Sequence, residues 1–134
     1  MNPKTLLWAA GGMQVIVFAA NFVIPGRLDF AGNLTRVPPI IGQIFRVHHA
    51  YIVAIVAFFA ALCFLFPAEL AGGSALGRFL CGFMALFWAA RLPIQLAYYD
   101  AEVRRANRLE DVLFAALLAA LSGALLVVFI AGRP

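Results

Sequence analysis

Residues 112–131 read VLFAALLAALSGALLVVFIA. Twenty residues pass without one ionisable side chain, about the number an α-helix needs to cross the hydrocarbon of a bilayer. Lipid offers no partner to backbone N–H and C=O groups, so such a run must close its hydrogen bonds internally, as a helix. Working outward, three more apolar runs follow the same logic. Leu6–Ile24 is interrupted only by Gln14 and Asn21. Ala50–Ala68 is entered through Arg46, His48 and His49 and closed by Pro67, and a third run extends from Ala75 to Tyr99. The reading is an all-α membrane protein, a four-transmembrane-helix bundle. It forms a single membrane domain over residues 1–134, with spans near 6–24, 48–67, 75–97 and 112–131. The first run is read as a span rather than a cleaved leader, because no clean A-x-A site follows it and Pro25-Gly26 marks its stop.

Composition agrees. The chain is 65% hydrophobic and 12% charged, with mean hydropathy +0.97, against about 25% charged residues in a soluble domain. Nine of the ten basic residues are arginine, and alanine is abundant, which fits a GC-rich bacterial gene and an inner-membrane setting. The net charge of +4 does not point to nucleic acid. The arginines gather at span ends and in two connectors, where they set topology and meet anionic lipid.

Four spans put the N-terminus, the 69–74 turn and the C-terminus on one side, with Lys4, Arg78 and Arg133. The other side holds Arg27, Arg36, Arg46, Arg91, Arg104, Arg105 and Arg108. The positive-inside rule places this second group in the cytoplasm. Both termini are then periplasmic, and the loops 25–47 and 98–111 cytoplasmic.

Lipid supplies little hydrophobic drive between helices, so small residues that let backbones approach carry weight. The third span has Gly73, Gly77, Cys81, Ala85 and Ala89 at steps of four, with Gly73–Gly77 a formal GxxxG. The fourth has Ala115, Ala119 and Gly123, and the second Ala50, Ala54, Ala57 and Ala61. These stripes predict the tightest contact between the third and fourth spans. Cys63 and Cys81 lack any CxxC spacing and read as two small apolar side chains.

Intramembrane polarity gathers at the arginine-rich end. In FWAARLPIQLAYYD (87–100) helical steps of three and four align Trp88, Arg91, Gln95 and Tyr98 or Tyr99. Gln14 and Asn21 share a face of the first span. Two arrangements are open: Arg91 snorkels from a helix that Pro93 ends or kinks, or the helix continues and Arg91 is a buried charge held by Gln14, Asn21 and Gln95. An ionisable residue inside a span is by default a site hypothesis, while Trp, Tyr and Arg at an interface also make an anchoring belt. The connector DAEVRRANRLED (100–111) pairs Asp100 with Arg104, Glu102 with Arg105 and Arg108 with Asp111 at helical spacing. His48 and His49 point about 100° apart on a helix and cannot clamp one haem between them. A haem or pigment held by one of them stays an alternative, and otherwise no cofactor or metal is implied. No phosphate loop, nucleophile elbow or HExxH motif occurs, and no catalytic residue is assigned.

VIPGRLDFAGNL (23–34), VPPIIGQIFRVHHAYI (37–52) and AGGSALGRFLCGFMALFWAARLPIQ (71–95) resemble stretches of a functionally uncharacterised group of small bacterial four-span inner-membrane proteins. The resemblance implies the same architecture and carries over no catalytic residue, and the double histidine is where this chain is expected to depart from that group. The function expected is that of a non-catalytic structural or accessory subunit of a membrane complex, or a homo-oligomer. The alternative is a small carrier or lipid- or quinone-binding protein using the Arg91 face.

Overall fold

Prolines and short polar caps divide the chain into its helices. In the computed structural model, which describes residues 2–132, α1 runs Pro3–Arg27, its first donors met by Asn2, whose side chain accepts from the Lys4 N–H at 3.0 Å. The stop expected at Pro25-Gly26 comes two residues later. Pro25 removes one backbone donor, and this close to a helix end the carbonyl it orphans costs little. Asp29 then takes a left-handed backbone, φ 48°, and its carboxylate accepts from the Gly32 N–H to start α2, Phe30–Leu34. The second long helix, α3, is Pro39–Leu65, beginning well before the expected 48. Pro39 stands at the first helical position, where its fixed φ is already helical and its missing N–H costs nothing.

Phe66, held out of the helical region by the proline after it, separates α3 from α4, Pro67–Ala71. Helix α5, Ala75–Pro93, is capped by the Ser74 hydroxyl on the Gly77 N–H. It does not end at Pro93. It widens into a π-helical turn over Ile94–Tyr98, the expected local response to a proline that cannot donate to the preceding turn. Asp100 caps α6, Ala101–Ala106, through the N–H groups of Glu102 and Val103. Helix α7 is Arg108–Ala131.

Among the described residues four segments are long and apolar enough to cross a membrane: α1, α3, α5 with its π turn, and α7. They form an all-α antiparallel four-helix bundle of a multi-pass membrane protein. The most extensive pairing is α5 with α7, as the sequence predicts, followed by α1 with α3 and α1 with α7. The backbones of α3 and α5 hardly meet. Aromatic rings bridge them, Phe59 lying edge-on to Phe83 and Phe87 with centroids 6.1 and 5.2 Å away.

The small residues behave unequally. On α5, Gly77, Cys81 and Ala85 are buried. Gly73 turns the chain with φ 74°, and a Cβ there would meet the Gly132 carbonyl at 2.9 Å, while a Cβ at Gly77 would run into the Glu69 carbonyl. The GxxxG pair is thus used inside the chain. On α7 the small stripe faces outward: Ala119 and Gly123 are exposed, and Leu118, Leu121, Leu125 and Val128 form the buried face. Leucines on the opposite face are bulkier, so packing density rather than close backbone approach chose the face.

The core is lopsided along the membrane normal. Each long helix presents an inward row at steps of three and four. On α1 the row is Leu7, Ala10, Gln14, Val17, Asn21, Ile24, with the first four buried and the last two not. On α3 it is Phe45, His49, Ile52, Val56, Phe59, Cys63, with the last three buried while Ile52 is 45% exposed. The two helices run antiparallel, so both rows lose their cover at the same end, the end carrying the long connectors. On α5 and α7 the rows stay covered further, down to Gln95 and towards Asp111. The bundle is closed at the end bearing the termini and open at the loop end between α1, α3 and α5.

Candidate functional site

The sequence groups Trp88, Arg91, Gln95, Tyr98, Gln14, Asn21, His48 and His49 as candidates. The structure disperses them. Gln14 is fully buried on α1, its amide N–H donating to the Ala10 carbonyl and the Cys63 sulfur, both at 3.3 Å, while its Oε1 has no partner among the described residues. Asn21 donates to the Val17 carbonyl one turn back at 2.8 Å. Neither holds Arg91, so the buried-charge arrangement through Gln14, Asn21 and Gln95 is not formed. Each amide donates to the carbonyl one turn back on its own helix, and Gln14 also reaches Cys63 on α3.

Gln95 is the buried residue of the π turn, and its amide donates to Asp111 Oδ1 at 2.7 Å. The same carboxylate receives Arg104, whose Nε lies 3.2 and 3.1 Å from the two oxygens and whose Nη2 lies 3.0 Å from Oδ2. Arg104 also donates to the Leu96 carbonyl, one of the acceptors at the irregular end of α5. One carboxylate therefore ties the π turn, α6 and the start of α7 together, and the pair is largely covered. This corrects the connector pairing. Arg104 meets Asp111 rather than Asp100, because the helix breaks at Asn107 and Asp100 is occupied as the α6 cap. Glu110 pairs with Arg27 across the bundle at 2.6 Å, both well exposed.

Sequence reasoning missed the Gln95–Asp111–Arg104 cluster. The signal was present: a polar residue after a proline in a span, and an acid opening the next one. Spacing rules see only partners on one helix, and these three lie on three separate segments.

Arg91 stands on the inward row of α5, four residues or about 6 Å of helix rise above Gln95. Its guanidinium carbon lies 5.0 Å from the centroid of the Tyr99 ring, so the side chain extends towards the loop end. Of the two arrangements the sequence left open, neither is formed as drawn: the helix continues past Pro93, and the Arg91 side chain reaches along it to Tyr99. Among the described residues its guanidinium makes no hydrogen bond or ion pair. Asp111 and Glu110 are engaged with Arg104 and Arg27.

Trp88, one turn deeper on the same face, is 2% exposed and sits edge-on to Phe87 at 5.2 Å. Its indole N–H has no hydrogen-bond partner among the described residues. Tyr98 leaves the stripe and is 81% exposed, since the π turn rotates the residues after Pro93 away from the α-helical register.

His48 is exposed, with Nδ1 2.8 Å from the Ile44 carbonyl. His49 stacks on Phe45 and lies edge-on to Phe30, packing α2 against α3. The two histidines therefore serve separate local contacts. Among the described residues no three His, Cys, Asp or Glu side chains gather as a metal site. Cys63 and Cys81 are buried free thiols, and Cys81 donates to the Leu70 carbonyl at 3.6 Å. No family model, curated protein or solved structure matches the chain.

Proposed function

We propose that the protein acts through association rather than catalysis, as an accessory or structural subunit of a bacterial inner-membrane complex or as a homo-oligomer. The outward face of α7 carries this reading. Ala116, Ala119, Ala120 and Gly123 are all exposed, and a Cβ built on Gly123 meets nothing within 4 Å. Small residues on a lipid-facing surface let a second helix approach closely, where dispersion contacts and weak hydrogen bonds accumulate without any help from hydrophobic transfer. The arginine-rich loops favour a cytoplasmic loop end and periplasmic termini. The architecture also accords with the resemblance to small four-span inner-membrane proteins.

Gly123→Cys in a Cys63→Ala, Cys81→Ala background tests this in native membranes. The expected outcome is a disulfide-linked dimer on mild oxidation, or a co-purifying membrane protein lost in Gly123→Leu. A lone monomer in mild detergent, with no cross-link and no partner, contradicts the proposal. The absorption spectrum of the same preparation tests the alternative that His48 or His49 holds a haem or pigment, which a colourless protein removes.

A further inference from the structure

We infer that the open loop end of the bundle, between α1, α3 and α5, is a binding site for the acidic headgroup of a membrane lipid, with Arg91 as the anion-binding residue. Three observations converge on this place. The inward rows of α1 and α3 lose their cover beyond Val17 and Val56, leaving Asn21, Ile24, Ile52 and Phe45 at the opening. Arg91 projects from the inward row of α5 at the same level. It stands about 6 Å above the Gln95–Asp111 contact, and Asn21 stands six residues, about 9 Å, above the Arg27–Glu110 pair. Among the described residues the Arg91 guanidinium lies over the Tyr99 ring with no hydrogen bond or ion pair, and the Trp88 indole N–H, one turn deeper, has no acceptor.

A guanidinium inside a span is costly unless something satisfies it. Among the described residues no acid pairs with Arg91: Asp111 is engaged by Arg104 and Gln95, Glu110 by Arg27, Asp100 and Asp29 cap α6 and α2, and Glu102 is exposed on the connector. The position is therefore open to an anion from outside the chain. A phosphodiester fits the planar donor fork of arginine. An acidic lipid brings that phosphodiester to this depth already attached to acyl chains, and the uncovered Ile52 and Phe45 offer those chains apolar surface. Arg91 then stays on the face of Tyr99 while binding the phosphate, since a guanidinium stacks through its plane and donates through its edge. A free phosphate would satisfy the charge but would leave the apolar rows of α1 and α3 bare.

Trp88 is the natural reporter once Trp8, which is exposed, is replaced by phenylalanine. The Trp8→Phe protein in a neutral detergent is titrated with short-chain phosphatidylglycerol, with short-chain phosphatidylcholine and with inorganic phosphate. Trp88 emission is read, and lipid retained through purification is counted by native mass spectrometry. The expected result is a saturable emission change with phosphatidylglycerol only. It weakens tenfold or more in Arg91→Gln, is partly restored in Arg91→Lys, and is unchanged in Arg105→Gln, which removes an equal charge from the connector.

Circular dichroism and elution volume identify any variant that fails to fold. The Lys variant and the neutral-lipid titration of the parent protein decide the question if the Gln variant does so. Equal response to phosphatidylcholine overturns the proposal, as does an equal loss in Arg105→Gln. Saturation by inorganic phosphate at the same concentration as by phosphatidylglycerol also overturns it, showing a small-anion site. The absence of any saturable response in the parent protein overturns it as well.

Discussion

The two ends of this bundle are built from the same four helices and obey different rules. At the end bearing the termini, Leu7, Ala10, Gln14, Phe59, Cys63, Cys81, Met84, Leu121 and Leu125 are buried together. Helix α4 caps that end so closely that Gly77 has no room for a Cβ. At the loop end the apolar rows of α1 and α3 are largely exposed, and order comes from polar ties, chiefly the Asp111 carboxylate gripped from two directions, and from the Phe30–Phe45–His49 ring contacts. In lipid, exposed leucine is not penalised, so nothing forces a bundle to close along its whole length. It closes where side chains interlock and stays open where they do not. The closed end holds the fold, and the open end is free to meet something else.

That contrast can be broken most severely at the closed end. Leu121→Ala removes a fully buried side chain, and a cavity of this kind costs about 2–5 kcal/mol. Thermal unfolding in detergent should show the largest loss of any substitution considered. Gly77→Val should come next, because the side chain collides with the Glu69 carbonyl. Overpacking costs about 1–3 kcal/mol, and the same melt reads it. A neutral Gly77→Val would show that α4 is not a fixed lid.

At the loop end, Asp111→Ala strips Gln95 and Arg104 of their shared acceptor. The melting temperature should fall by less than in Leu121→Ala. Proteolysis should quicken selectively in the 99–107 connector, since that carboxylate holds α6 in place. The exposed Arg27–Glu110 pair is the smallest term. Glu110→Gln should cost less than about 1 kcal/mol, with the difference shrinking further in high salt. If Glu110→Gln proved as damaging as Leu121→Ala, the division into a packed end and a loosely tied end would be wrong.

The architecture was legible in the sequence because length, apolarity and the absence of water fix a span with few alternatives. The α5–α7 pairing was legible for a related reason: a compact connector keeps successive helices together. The details at the ends were not. Pro25 read as a stop and Pro93 left a stop, a kink or a continuing helix open; α1 passes through the first and α5 continues past the second as a π turn. A proline's cost is one hydrogen bond, and tertiary contacts such as Gln95–Asp111 offset it. The stripe on α7 was visible, but which face it covers depends on what the neighbouring helix offers, and Leu118 and Leu121 out-packed the alanines. Arg91 stood out at once as the anomalous charge. Helical spacing reached Tyr99, but the rest of that end was not visible, because Asp111 and Arg104 are brought there by the π turn and by the break at Asn107, and helical spacing assumes neither.

The inward row of α3 is covered at Val56 and bare at Ile52, a single turn away. Single cysteines placed at Ile52, Ile55 and Val56, with Cys63 and Cys81 replaced by alanine, measure this directly in membranes with a lipid-soluble maleimide. Ile55 serves as the outward reference. The structure predicts that Ile52→Cys reacts as fast as Ile55→Cys while Val56→Cys is protected. Equal protection of Ile52→Cys and Val56→Cys would mean the bundle is closed along its length, and would contradict the account.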